Sequence, residues 1–201
     1  EINGITFGSV GSGTKIDHVQ VSYSNDDSFE WFGGNANAKY LIAYHGWDDD
    51  FDTDNGFSGK LQFVLGVRNP KIADTSLSNG FESDNNSDGS TATPKTAAVF
   101  SNVTLVGPIG QATDFANTKE YITAGSLYPN NNSKTGLFQS AMQIRRYSQL
   151  NCFNSVAMGY PVGLLLDNQK GNTQSLATSG ALKLNNLIFA QMGVVGSDVN
   201  N

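Results

Sequence analysis

DFDTDNG, residues 50–56, looks at first like an isolated acidic loop. Two other stretches change that reading: SFEWFGG at 28–34 and GFESDNN at 80–86 repeat its order of an aromatic residue, an acid and a bend two or three positions on. Phe29 and Phe51 are 22 positions apart, and the same offset pairs Val19 with Leu41 and Phe63, and Val21 with Ala43 and Leu65. Phe81 follows Phe51 by 30, so the third unit carries eight extra residues, placed most simply in NPKIADTSLSN at 69–79. A weaker copy, GLLLDN at 163–168, has Leu in place of the acid.

A repeat of this length is one turn of a three-sided β-coil, with short strands and bends at roughly 3.3 Å per residue. One unit cannot bury its inner face alone; stacking does so. The Leu-x-x-Leu-x-Leu signature of a leucine-rich repeat is missing, and a β-sandwich would give no constant offset. The chain therefore reads as all-β, a right-handed parallel β-helix with a period of about 22 residues. Residues 4–10 form an incoming strand, and 14–34, 36–58 and 60–86 form three coils. A fourth begins at 96–107, 140–169 closes it and makes a fifth, and 181–191 is a last strand region before a polar tail, GSDVNN. The polar segment 108–139 reads as an inserted loop projecting from one face. One domain spans 1–201. Because GITFGSV at 4–10 opens on apolar residues with no polar cap, an upstream continuation with further coils is expected.

The formal charge of -6 argues against a nucleic-acid groove, which needs a basic stripe. No apolar run approaches the ~18 residues of a membrane span. Cys152 is the single cysteine, so no intrachain disulfide forms, and its apolar neighbours predict a buried, inert thiol.

Strand alternation sends Phe29, Phe51, Phe81 and Leu164 inward, with Trp31, Thr53, Ser83 and Leu166 two positions on. Glu30, Asp52, Glu82 and Leu165 then point outward, as do Phe32, Asp54, Asp84 and Asp167. Asn55, Asn85 and Asn168 at the bend suit an amide ladder along the axis. Stacked carboxylates repel, at roughly 1 to 3 kcal/mol per ~5 Å pair. Solvent and raised pKa values relieve that in one reading. In the other, Asp48, Asp49, Asp50, Asp52 and Asp54 hold Ca²⁺, which takes six to eight oxygen ligands. DDDFDTDNG lacks the final Glu of an EF-hand loop.

VGSGTKIDHVQVSYSNDDSFEWFGG, NAKYLIAYHGWDDDFDTDNGFSGKLQF and SNGFESDN, with SNVTLVGP, IRRYS and FNSVAMGYPVGL further on, resemble a family of secreted bacterial proteins, often lipid-anchored at the Gram-negative surface. The resemblance implies a pectate-lyase-like β-helix of which this chain is the C-terminal part, and an extracellular or cell-surface location, with the periplasm as an alternative. It implies no particular activity.

Two functional classes stay open. A glycan-binding or scaffold module would use Trp47, Glu30, Glu82 and Arg146 as ligand contacts, with Tyr23, Phe32, Tyr40 and Tyr44 as further stacking groups. A polysaccharide lyase or glycoside hydrolase acting on acidic glycans would use Asp52 with Glu82, or Asp54 with Asp84, as an acid/base pair. A lyase would need Ca²⁺ beside Arg68, Arg145 or Arg146. His18, Tyr40 and Gln62 share an outward register, while His45 aligns with Tyr23 and Val67 and reads as a satisfied core or bend histidine.

Overall fold

The computed structural model describes residues 2–197. Seven short strands stack in parallel: β1 (Ile5–Gly8), β3 (Phe29–Phe32), β5 (Phe51–Asp54), β7 (Phe81–Ser83), β9 (Ser140–Ile144), β11 (Val162–Leu166) and β13 (Val194–Ser197). Six longer ones form the second sheet: β2 (Lys15–Ser22), β4 (Asn37–Tyr44), β6 (Lys60–Val67), β8 (Val99–Val106), β10 (Asn151–Met158) and β12 (Leu184–Ala190). Each coil is one short and one long strand, and every strand pairs with its counterparts in the neighbouring coils. This is the parallel β-helix that the repeat predicts.

Each long strand serves as two sides of the coil. His18, Tyr40, Phe63, Asn102, Asn154 and Asn186 all adopt positive φ, between 51° and 58°. A left-handed residue breaks the period-2 alternation. In β4, Ala38 faces in, Lys39 and Tyr40 both face out, and Leu41 and Ala43 face in again. The strand therefore turns a corner at its fourth residue. His18, Tyr40 and Phe63 stack there at 4.5 and 5.3 Å between ring centres.

The offset of 22 holds between β2 and β4, where Val19 lies beside Leu41. It fails between β4 and β6, where Leu41 pairs with Val64 and Ala43 with Gly66. The bend 55–59 has one residue more than the bend 33–36. The eight extra residues are thus one at this bend and seven in 68–80. Phe63 shifts to the exposed corner, and Gln62 lies beside Lys39 rather than Tyr40. His45 correspondingly stands beside Arg68; Val67 pairs with Tyr44 instead.

Phe29, Phe51, Phe81 and Trp31 are fully buried, and Phe29 stacks on Phe51 at 5.5 Å. Ile16, Ala38, Leu61, Phe100 and Cys152 make the facing column. Burial pushes the Cys152 thiol up to about 11, the inert state expected of it. Thr53, Ser83 and Ser148 run a buried hydroxyl chain through the core, with oxygens 2.8 and 2.6 Å apart. Thr53→Val removes one link and leaves Ser83 its bond to Ser148. A loss of about 1 kcal/mol is expected in urea unfolding at unchanged m-value.

The expected asparagine ladder does not form at the bend. Asn55 bonds Asp54, Asn85 bonds the carbonyls of Ser90 and Ala92, and Asn168 bonds Asn172. Loops leave the coil here and offer nearer partners. Amide-to-amide bonds appear at the corner instead, from Asn186 to Asn154 and from Gln62 to Asn102.

Residues 108–139 do not simply project. Ile122 and Phe138 bury themselves with Ala73, and Phe115 and Tyr121 pack against them. The amide of Ala124 donates to the carbonyl of Lys71 at 2.7 Å. A short helix, α1 (Thr173–Ser179), capped by Asn172 and ended by Gly180, lays Leu176 and Ala177 on the core. Of the tail read as polar and frayed, Gly196 and Ser197 belong to β13; residues 198–201 lie outside the described part.

Candidate functional site

The outward side of the short-strand sheet carries two acidic columns. Pairing sets Glu30, Asp52 and Glu82 side by side, followed by Gln143 and Leu165. Asp54 lies beside Phe32, Asp84 continues that row, and Arg145 stands between Asp84 and Asp167. The bends before β3 and β5 add Asp26, Asp27, Asp48 and Asp49. Asp27 accepts from the amide of Asp49 at 2.8 Å, Asp49 from that of Asn79 at 2.6 Å, and Asn79 from that of Ser140 at 3.0 Å. This side-chain-to-backbone ladder fixes one oxygen of each acid.

Outward does not mean solvated here. Asp27, Glu30, Asp49 and Asp84 are at most 9% exposed, and Leu165 is buried although it faces out. Burial, with neighbouring carboxylates adding to it, lifts Asp27, Asp49 and Asp52 well above the usual carboxylate range. Burial also raises Glu30 to about 7 against a hydrogen bond from Asn3, and Asp48 to about 7 against one from Ser76. It raises Glu82 to about 7 despite Arg145, and Asp54 in the same direction.

This acidic face is electrically uneven along its length. At one end Arg145 donates from Nε to Asp84 at 2.8 Å and from its guanidinium to Glu82, while Arg146 also binds Asp84. These carboxylates hold Arg145 in its charged form, above its ordinary range. At the other end, Asp27, Glu30 and Asp52 have no Lys or Arg at ion-pairing distance among the described residues. Their oxygens lie within 4.8 Å of one another, and Asp26, Asp27 and Asp48 form a second such group. Oδ1 of Asp52 is buried without a hydrogen-bond partner.

Several sequence candidates fall outside this cleft. Asp50 turns inward and is fully buried, with Arg68 Nη1 at 2.9 Å from its Oδ1. Neither is available to a metal or a substrate, because each is the other's counter-charge inside the coil. Trp47 is buried against Ile72 and Ala124, edge-on to Tyr128, so it offers no ring face to a sugar. Tyr40 has its faces taken by His18 and Phe63, and Tyr44 stacks on His45. His45 is half-buried, and burial, then Arg68, lowers its pKa. Its Nδ1 lies 3.1 Å from the hydroxyl of Tyr23, a satisfied bend histidine. Asp26 and Asp27 are the acids that sequence reasoning passed over. The repeat holds their signal, since SNDDSFE at 24–30 overlays GWDDDFD at 46–52 at the offset of 22.

Two parallel sheets wound into one helix, with charged side chains gathered outside the short strands, can be set against known families. The profile described as a pectate-lyase-like β-helix domain matches residues 1–200. The chain belongs to this family. At family level its function is thereby carbohydrate-related. Searches of curated proteins and of solved structures gave no match. Among the described residues no helix is long and apolar enough to cross a membrane.

Proposed function

We propose that this protein is a carbohydrate-associated binding module whose acidic cleft holds a divalent cation and engages a carboxylated glycan through it. The observation that carries this reading is the Asp27–Glu30–Asp52 group: three converging carboxylates without a basic partner, one with a buried oxygen that bonds nothing. Carboxylate oxygens alone, with no His or Cys, suit Ca²⁺ and not Zn²⁺. A bound Ca²⁺ would supply the positive charge that the Asp27–Glu30–Asp52 end lacks and open coordination positions for a glycan carboxylate. Asp27, held by the amide of Asp49, and Asp52, fixed on β5, would position it; Asp48 and Asp26 extend the acidic wall. Arg145 and Arg146 are engaged by Glu82 and Asp84, which favours binding over a lyase needing a free base. An exported location, at the cell surface or in the periplasm, goes with this reading through the resemblance of the repeat blocks to secreted bacterial proteins.

Calorimetric titration of chelator-treated protein with CaCl₂ tests it. Saturable binding is expected, lost in Asp27→Asn/Asp52→Asn, together with calcium-dependent retention of a uronate oligosaccharide. Absence of both heat and a melting shift on adding Ca²⁺ would refute the cation.

One observation favours a second reading, hydrolysis: Glu30 and Glu82, both near 7, flank Asp52 and are suited to donate a proton to a glycosidic oxygen. New reducing ends from an acidic glycan, lost in Glu82→Gln, would support it over simple binding.

A further inference from the structure

An open groove of about 670 Å³ runs over the first arms of the long strands, on the other sheet from the acidic cleft. Lys15, Lys39 and Lys60 line it. Pairing places Lys15, Asn37 and Lys60 in one row and Asp17, Lys39 and Gln62 in the next. The ammonium groups therefore zigzag along the helix axis, one per coil, with Lys15 and Lys60 two strand spacings, about 10 Å, apart at the backbone. Lys15 shares its charge with Asp17 at 3.0 Å. Lys39 and Lys60 have no carboxylate partner among the described residues. Three of the chain's 12 basic residues thus face one groove of a protein whose net charge is -6.

We propose that this groove binds a carboxylated oligosaccharide directly, without a metal. The inference rests on the carbohydrate reading above and adds a second, cation-independent subsite. A linear chain of uronate rings presents carboxylates at regular intervals to alternate sides, which a zigzag of lysines at strand spacing can meet one after another. Apolar floor atoms receive the ring C–H groups, and Asn37, between Lys15 and Lys60 in the register, offers its amide to hydroxyls. The groove is long and shallow, a shape for a segment of polymer rather than for a small molecule.

The test is fluorescence anisotropy of a labelled uronate oligosaccharide in EDTA, beside a neutral oligosaccharide of equal length and a polyglutamate peptide of equal charge. Binding of the uronate probe is expected, weakening with salt, and Lys39→Glu/Lys60→Glu is expected to raise its Kd about tenfold or more. Asp27→Asn/Asp52→Asn is expected to leave it intact, so a protein that fails to bind calcium would sink the cleft reading and not this one. No binding in EDTA, equal binding of the neutral probe, or an unchanged Kd in the lysine variant overturns the proposal. Equal binding of polyglutamate overturns the glycan assignment in favour of an acidic peptide.

Discussion

Arg68→Met is expected to lower the thermal midpoint by roughly 10 °C, the equivalent of about 3 to 5 kcal/mol for losing one partner of a buried ion pair. Arg68 and Asp50 have no exposed side-chain surface. Nη1 holds the Asp50 carboxylate at 2.9 Å, and Nη2 donates to the carbonyl of Trp47 at 3.0 Å. Burial raises Asp50 to about 6, and Arg68, with a smaller contribution from Tyr160, restrains it from rising further. Without the guanidinium, the Asp50 carboxylate loses its counter-charge inside the core, while the Trp47 carbonyl keeps the Ser78 hydroxyl at 2.6 Å. Gly66 shows how closely the carboxylate is enclosed: a Cβ there would stand 2.4 Å from Oδ2. The intact pair is a smaller asset than its loss suggests, since Oδ2 of Asp50 and Nε of Arg68 already lack partners. Asp50→Asn/Arg68→Met is therefore expected to recover a large part of the loss. Differential scanning calorimetry of both variants checks this. A single variant melting within 2 °C of the parent, on the order of 1 kcal/mol, would show that the pair is not what holds this bend.

The same pair marks where sequence reading stops. The helix was legible because a constant offset survives in the residues that must stack: Phe29 on Phe51, Trp31 beside Thr53, Glu30 beside Asp52. The slip between β4 and β6 was not legible. Phe63 and Leu65 satisfy the apolar pattern as well as Val64 and Gly66 do, and nothing local shows that one extra residue sits in a bend. Asp50 looked like one more outward acid because bends have no alternation to say which way a side chain turns. Its partner lies 18 residues on. The outward direction of Asp52 and Glu82 was readable; their partial burial was not. Burial depends on chain that returns from far away, such as Ser76 reaching Asp48 and Ser133 reaching Asn25. Asp27 was in reach through the repeat, since Asp27 and Asp49 are 22 apart like Phe29 and Phe51.

Cation-free protein is expected to be more stable at pH 5 than at pH 8, by on the order of 5 °C in thermal midpoint. The sign follows from Glu30, Asp48 and Glu82, which titrate near 7 in the folded chain and from ordinary values of 4.5 or 3.8 when unfolded. Between about 4 and 7 the folded state therefore binds more protons than the unfolded one, and stability falls as pH rises through that window. Asp27, Asp49 and Asp52, raised further by burial and by each other, push in the same direction. Asp17 and His45, both lowered, oppose them, but Asp17 is a surface group beside Lys15 and His45 is a single group against several raised carboxylates. Melts from pH 4.5 to 8.5 in chelator at fixed ionic strength check this, and a midpoint that is flat or rising from 5 to 8 refutes it. Ca²⁺ adds a term of opposite slope. Its ligands must be deprotonated, so its affinity grows over the window in which the apo protein weakens, and saturating Ca²⁺ stabilises by mass action. The calcium-induced gain in midpoint is accordingly expected to be small at pH 5 and largest at pH 8. Asp27→Asn/Asp52→Asn is expected to abolish that gain and to flatten the apo profile, because it removes both the cation's ligands and part of the repulsion that they relieve.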